Sequence, residues 1–515
     1  MELAVALKTI DILKAENKEI LKDNKEVKEK NKKLEHEVVL LREELRLAIF
    51  NRFGKSSEKI VGQEELPFAI EYVPEEKKEE VVETQDISYT RKKPGRKKLS
   101  DDLPREHYYF DLSEEEKICS CGHRMKKIGE DVNEVLSVIP EQIWVDVNHK
   151  AKYACSFCQG VNDSNLPAVK TAKAEEALIP KSIASPSLLA FILTNKYCDH
   201  LPFYRQEKRF ERIGANISRQ DMSNWLVTIA DMLMPLKELL RKDIISNSII
   251  RMDETPVKVL KLDHSGKDGI GYMWLMLGGK DGKRSVLYNF APGRGAIHAR
   301  NFLGSFNGVL QSDGYHVYDS LSKELQFTQA GCWAHVRRLF FEADKVAPSA
   351  LVSDALGRIR KIFTLETQAR QMKLKDEEFL SYRRSLIEPY LKDLKLWAEK
   401  TASEVLPQGK TKKAFAYMLG QWPKLDKFLD YPELTPDNNL AENAIRPFVL
   451  GRKNWLFNGN DTGAESACLI YSLIESAKNN GLNPYSYLHG VFKQLSQARD
   501  TGNFESLLPW NIKIP

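Results

Sequence analysis

The stretch SIIRMDETPVKVL, residues 248–260, decides the fold. It reads as an apolar strand leading into Asp253. Two more strand-like runs follow, GYMWLMLGG and KRSVLYNFAP, and then a helix in RGAIHARNFLGSF. Next comes GVLQSDGYHVYD, a further apolar strand ending at Asp313.

Three strands, a helix and a fourth strand ending in an acid is the order of a ribonuclease-H-like core, a mixed sheet with helices on its faces. In such a sheet the first and fourth strands are neighbours, so Asp253 and Asp313 are expected to share a metal site. Phosphodiester cleavage needs an activated water or hydroxyl and charge stabilisation at the leaving oxygen, and two Mg²⁺ ions supply both. Hard divalent cations take carboxylate oxygens, and two aspartates alone hold them weakly, so a third carboxylate from another element is expected. The next segment, AGCWAHVRRLFFEADK, reads as strand and helix. His335, Arg337 and Arg338 lie near its turn, either as phosphate or transition-state contacts or as a core histidine with surface arginines. Residues 348–434 read as an all-helical insertion with charged faces. Beyond it TPDNNLAENAIRP, residues 435–447, reads as a short helix capped by Asp437 and stopped or kinked by Pro447. Within it Glu442 is either a surface partner of Arg446 or a metal ligand.

At 515 residues the chain holds several domains, and 42% hydrophobic with 29% charged residues fits a globular protein with charged segments. The net charge of +5 permits nucleic-acid binding without demanding it. No secretory signal or membrane-spanning run is read, so a cytoplasmic location, at the nucleoid when DNA-bound, is expected, with no membrane partner. From Leu3 to Ala48 a heptad repeats, with Asn17, Asn24 and Asn31 at successive a positions. A buried Asn favours an in-register parallel pair, which predicts a self-dimer. An acidic linker follows, then the cationic strip TRKKPGRKKLSDDLPR, whose Arg96 and Lys97 suit a minor groove or phosphates. Cys119 and Cys121 in CSCGHRM and Cys155 and Cys158 in YACSFCQG have the pairing of a structural, tetrahedral zinc site. Pro202 opens a helix with Arg205, Gly214 marks a turn, and Ser218 caps a second helix carrying Arg219, Gln220 and Asn224. That is a helix-turn-helix layout for DNA contact.

These motifs, with RFGKSSEK, SDGY, CWAHVRR and AENAIRPFVLGRKNWLFNGNDTGAE, occur in the order of the transposases of the IS-sixty-six group of bacterial insertion sequences, which the chain resembles over nearly its whole length. The resemblance implies a DDE transposase with catalytic acids Asp253, Asp313 and Glu442 holding two Mg²⁺ (or Mn²⁺) ions, a zinc-finger segment, and accessory proteins from the same element. The family's first cysteine pair is usually C-x-x-C, whereas Cys119 and Cys121 are one residue apart, which weakens Cys119 as a ligand. His335 and Arg338 join the acids as catalytic candidates, and Arg446, Arg452 and Lys453 as DNA contacts.

The expected architecture is a multidomain α/β chain. It has a coiled coil (1–53), a linker with a basic segment (54–105), a zinc module (106–165) and a helix-turn-helix-like segment (175–240). A ribonuclease-H-like core (245–347 and 435–480) follows, with the insertion (348–434) and a C-terminal segment (481–515). The expected activity is cleavage and strand transfer at double-stranded element ends and target DNA. A non-catalytic DNA-binding regulator is the rival reading.

Overall fold

The computed structural model describes residues 177–262, 269–280, 283–405 and 409–514, shorter stretches within 24–46, 142–154 and 169–172, and residues 107 and 113. The chain forms two compact units, one of residues 58–174 and one of the remainder. In the smaller unit β1 (Lys152–Ala154) pairs antiparallel with β2 (Val169–Thr171). Cys119, Cys121, Cys155, Cys158, Arg96 and Lys97 lie outside the described residues. In the larger unit residues 24–35 are helical. Val27, Leu34, Val38, Leu41 and Leu45, all at predicted a or d positions, are exposed on this single chain.

Four helices precede the sheet: α1 (Pro186–Tyr197), α2 (Phe203–Arg212), α3 (Arg219–Met232) and α4 (Met234–Ile245). The predicted pair around Gly214 forms. Gly214 turns at φ +82°, and Ser218 and Asp221 close a reciprocal capping box at the start of α3. Buried Gln206 fastens α2 to α1 by donating to the carbonyls of Ile192 and Leu201 at 3.1 and 3.0 Å.

The sheet is built from β3 (Ile249–Lys261), β4 (Ile270–Lys280), β5 (Lys283–Ala291), β6 (Val309–Gln311), β7 (Thr328–Ala330) and β8 (Asn458–Asn460). Its order is β5-β4-β3-β6-β7, with β8 beside the outer half of β3. β3, β4 and β5 run antiparallel in sequence, whereas β6 and β7 continue parallel to β3. Residues 249–252 of β3 are buried on both faces, as a central strand requires. Pairing with β6 ends at Arg251–Gln311, and beyond it burial along β3 alternates. Asp253 and Glu254 stand at that change. Asp253 therefore lies within the strand and not at its end as expected, because Pro256 does not terminate β3. On the side of Pro256 the β6 partner has already stopped, so its missing N–H interrupts no ladder there.

Helices α5 (Ala296–Leu303) and α6 (Val317–Leu325) carry the crossovers to β6 and β7, and α7 (Trp333–Val346) follows. The helices α8 (Ala350–Gln371), α9 (Asp376–Glu404) and α10 (Lys410–Leu425) fall within residues 348–434 and share a second hydrophobic core with α7, β7 and Trp333. Then come α11 (Asn439–Trp455), α12 (Asp461–Asn479) and α13 (Pro484–Thr501). The edge strand β5 is covered by α12. Ser476 and Ser472 accept the outward N–H groups of Val286 and Tyr288 at 2.9 and 2.8 Å. Pro447 neither stops α11 nor sits near its end: the helix runs on to Trp455. Its N-cap is Asn438 and not Asp437, although Asp437 Oδ1 accepts the Asn439 N–H at 3.1 Å.

Candidate active site

Each predicted acid comes from a different element. Asp253 is on β3, Asp313 is on the turn after β6, and Glu442 is in the first turn of α11. Below the two aspartates lies a buried polar layer that follows the two-residue strand period. Arg251 Nε donates to Gln311 Oε1 at 3.0 Å, and these residues precede Asp253 and Asp313 by two positions on their strands. Arg251 also donates to the carbonyl of Glu433 at 2.7 Å, and Gln311 to that of Thr435 at 2.8 Å. The pair thus ties both strands to the segment that delivers α11. Asn438 adds the last tie. Its side chain donates to the Met252 carbonyl at 2.9 Å and its N–H to Cys332 Sγ at 3.2 Å.

The aspartates are held by local backbone. Asp253 Oδ1 accepts the Glu254 N–H at 2.8 Å, and Asp313 Oδ1 accepts the Tyr315 N–H at 3.0 Å. Gly314 turns at φ +85°, and a Cβ there would stand 2.8 Å from the Tyr417 hydroxyl, so the SDGY turn needs glycine. Tyr417 donates its hydroxyl to the Asp313 carbonyl.

Glu442 faces away from its own helix. Its Oε2 accepts from Arg338 Nη2 at 3.3 Å, and its Oε1 lies 3.6 Å from His335 Nδ1. The alternative of a surface pair with Arg446 gives way to partners from α7. Buried Glu442 Oε1 and His335 Nδ1 both lack a hydrogen-bond partner. Ligand atoms of Cys332, His335 and Glu442 lie within 4.8 Å of one another. Burial lowers the proton affinity of His335, against the pull of Glu442. Burial pushes the Cys332 thiol up to about 12.

The carboxylates crowd one another. Asp253 is pushed up to about 8, first by burial and then by the charges of Glu254 and Asp313, with a smaller part from Glu442. Oxygen donors of this kind suit a hard divalent cation. Glu442 meets His335 and Arg338, and the charges of Asp313 and Glu442 are felt at Asp253, but among the described residues the three acids do not form a group with ligand atoms within 4.8 Å, as Cys332, His335 and Glu442 do. Sequence reading missed Arg251, Gln311 and Asn438. It also missed Glu254, although its place beside Asp253 was a signal.

The other candidates lie elsewhere on the surface. Arg205, Arg219, Gln220 and Asn224 are exposed on α2 and α3, with Gln220 donating to Asn224 at 2.9 Å. Arg446 and Lys453 are exposed on α11. Arg452 is engaged internally: its Nη1 donates to Thr255 Oγ1 at 2.7 Å and to the Pro256 carbonyl, clamping α11 to β3. Among the described residues no helix is long and apolar enough to cross a membrane.

Residues 181–466 match the family described as "Transposase IS66 family", and residues 472–510 match the "IS66 C-terminal element". Residues 40–107 match "Transposase C of IS166 homeodomain", and residues 116–159 match "zinc-finger binding domain of transposase IS66". Among similar proteins of Sinorhizobium fredii (strain NBRC 101917 / NGR234), the uncharacterized protein y4qI is 31% identical over 75% of this chain and 72% of its own length. The uncharacterized protein y4jD is 31% identical over 80% of this chain and 81% of its own.

Proposed function

The chain belongs to the IS66 transposase family, and from that premise we propose that it is a DNA transposase that cuts at the ends of its element and joins them to target DNA. One observation carries this reading. Carboxylates from β3, the β6 turn and α11 act on one another: Asp253 is pushed up to about 8 by burial and by neighbouring acids that include Asp313 and Glu442, and Glu442 Oε1 accepts no hydrogen bond. A half-buried set of acids, with Arg338 as the cation on Glu442, fits a pair of divalent cations, Mg²⁺ or Mn²⁺, held by Asp253, Asp313 and Glu442. When bound, such ions activate the attacking oxygen and stabilise charge on the leaving one. The order of three antiparallel strands followed by two parallel ones supports the ribonuclease-H-like reading of the core.

The side chains have separable tasks. Asp253 presents its oxygens from β3 and Asp313 from the turn after β6, fixed by the Glu254 and Tyr315 N–H groups. Arg338 holds Glu442 toward them and leaves a half-exposed guanidinium for a phosphate. His335, whose proton affinity burial lowers, faces the other oxygen of Glu442 at 3.6 Å. Water attacks a phosphodiester in line and releases a 3′-hydroxyl, which then attacks target DNA. Both steps are phosphoryl transfers, so one site serves both without a covalent protein intermediate.

Elsewhere, Cys119, Cys121, Cys155 and Cys158 hold a structural zinc ion, consistent with the zinc-finger match over residues 116–159. Exposed Arg205, Arg219, Gln220 and Asn224 contact element ends, with Arg96, Lys97, Arg446 and Lys453 on the backbone. The exposed apolar seam of the amino-terminal helix is covered by a second copy. The protein acts on DNA in the cytoplasm. The test is Mg²⁺-dependent nicking of element-end DNA with accessory proteins supplied. Wild type cuts and Asp313→Asn does not. Equal cutting by both overturns the enzyme reading and favours a non-catalytic regulator.

A further inference from the structure

A fourth carboxylate lies beside the acid triad. The Glu254 side chain is 1% exposed, yet its partner Arg294 is 41% exposed. Glu254 Oε1 accepts from Arg294 Nε at 2.8 Å and Nη2 at 2.5 Å, and Oε2 accepts from the Tyr318 hydroxyl at 3.4 Å. Burying both partners of an ion pair carries a desolvation cost that can exceed the gain. Here the carboxylate is sealed in and the cation is kept at the surface.

Further contacts fix the arginine. It lies in the loop between β5 and α5, flanked by Gly293 and Gly295. The loop is pinned by the Tyr315 hydroxyl donating to the Arg294 carbonyl at 2.9 Å. The guanidinium lies 4.0 Å from the centre of the Tyr315 ring. Tyr315 is also the residue whose N–H holds Asp313 Oδ1 at 3.0 Å. One tyrosine therefore sets both a triad aspartate and the plane of an arginine. Glu254 takes the Nε–Nη2 edge, and the charge of Asp313 reaches the guanidinium. Such a guanidinium has already lost the rotamer freedom that a phosphate contact would otherwise cost.

We propose that Arg294 is a catalytic residue that contacts a non-bridging oxygen of the DNA strand reacting at the triad, and that Glu254 and Tyr315 are its positioning residues. Glu254 is thereby assigned to the arginine and not to a cation. The inference rests on the triad reading above.

The test is a chemical double-mutant cycle with the full chain, Mg²⁺, accessory proteins and element-end DNA. Single-turnover cleavage is measured on natural DNA and on DNA carrying one uncharged methylphosphonate at the scissile phosphate or at either neighbour. Arg294→Gln, which removes the charge and the guanidinium fork but keeps a polar side chain, is expected to cut about 100-fold more slowly with end-DNA affinity within about threefold of wild type. Arg294→Lys recovers part of the rate. At the contacted phosphate, methylphosphonate slows wild type but slows Arg294→Gln no further, and at the other positions the losses multiply. Glu254→Gln gives the same position-specific pattern with a smaller loss, about tenfold. Losses that multiply at every position, or an Arg294→Gln rate within threefold of wild type, overturn the assignment. If Arg294→Gln does not fold, Arg294→Lys and Glu254→Gln carry the same cycle, and full additivity in both overturns it. If Asp313→Asn cuts as fast as wild type, the triad reading fails and takes this assignment with it. If Asp313→Asn is dead and only the Arg294 cycle is additive, the assignment alone fails.

Discussion

Two regions of this molecule bury carboxylates, and they treat them in opposite ways. In the insertion, Glu366 and Arg383 are sunk in the second core, at 6% and 0% side-chain exposure. Glu366 Oε1 accepts from Arg383 at 2.6 Å and from Arg370 at 2.7 Å, and Oε2 accepts from Arg383 at 2.9 Å. Arg383 spends its remaining donors on the carbonyls of Phe428, Tyr431 and Leu434. At the acid triad, by contrast, Asp253 accepts one backbone N–H, faces other acids and is pushed up to about 8. The difference separates an acid fully paired inside a core from acids left crowded against one another. The two regions are also linked, because Arg383 fixes the segment through Leu434 that delivers α11 and Glu442.

The largest expected effect follows from the unsatisfied cluster. Glu442→Gln keeps the melting midpoint and the affinity for end DNA but loses cleavage by a factor on the order of 10³ or more, read in a single-turnover nicking assay. A surface partner of Arg446 would leave cleavage intact.

Next is the satisfied pair. Arg383→Met leaves buried Glu366 with Arg370 alone and costs about 3–5 kcal/mol in urea unfolding. A loss below about 1 kcal/mol would erase the contrast between the two regions.

The third prediction reads the contrast through pH. In EDTA, folded Asp253 prefers its proton up to about 8, whereas the unfolded chain releases it near 3.8. Its contribution to stability is therefore complete below 3.8 and lost as pH rises from there to about 8. Asp253→Asn removes that loss, so the variant's advantage over wild type grows from pH 5 to pH 8, to on the order of a few kcal/mol. An advantage that does not change with pH contradicts the crowding described here.

The smallest effect belongs to the scaffold between the regions. Asn438→Ala removes the bond to the Met252 carbonyl and is expected to cost about 1–2 kcal/mol. It also slows cleavage about tenfold through misplacement of Glu442.

Much of this arrangement was legible in the sequence. Asp313 could be placed because an apolar run ends beside a glycine turn, and the start of α3 because Ser218 is an N-cap residue following the turn at Gly214. The full length of β3 was not, since a proline in a strand is tolerated only where a neighbour is absent, and that is a property of the sheet. Pro447 misled for a similar reason. A mid-helix proline costs about 3 kcal/mol alone, but here Phe448 and Gly451 on either side of the next turn are buried against the core. β8 reads NGN and has no strand propensity of its own. The contacts of Glu442 with His335 and Arg338 span about a hundred residues, so no local spacing announces them.

The central claim is that Asp253, Asp313 and Glu442 form a cation site. Mn²⁺ titration of the full chain at pH 8, followed by electron paramagnetic resonance, tests it most directly. The account predicts that Asp253→Asn, Asp313→Asn and Glu442→Gln each weaken Mn²⁺ binding at least tenfold, while Glu366→Gln leaves the affinity of whatever remains folded unchanged. Equal Mn²⁺ binding by wild type and all three triad variants would contradict it.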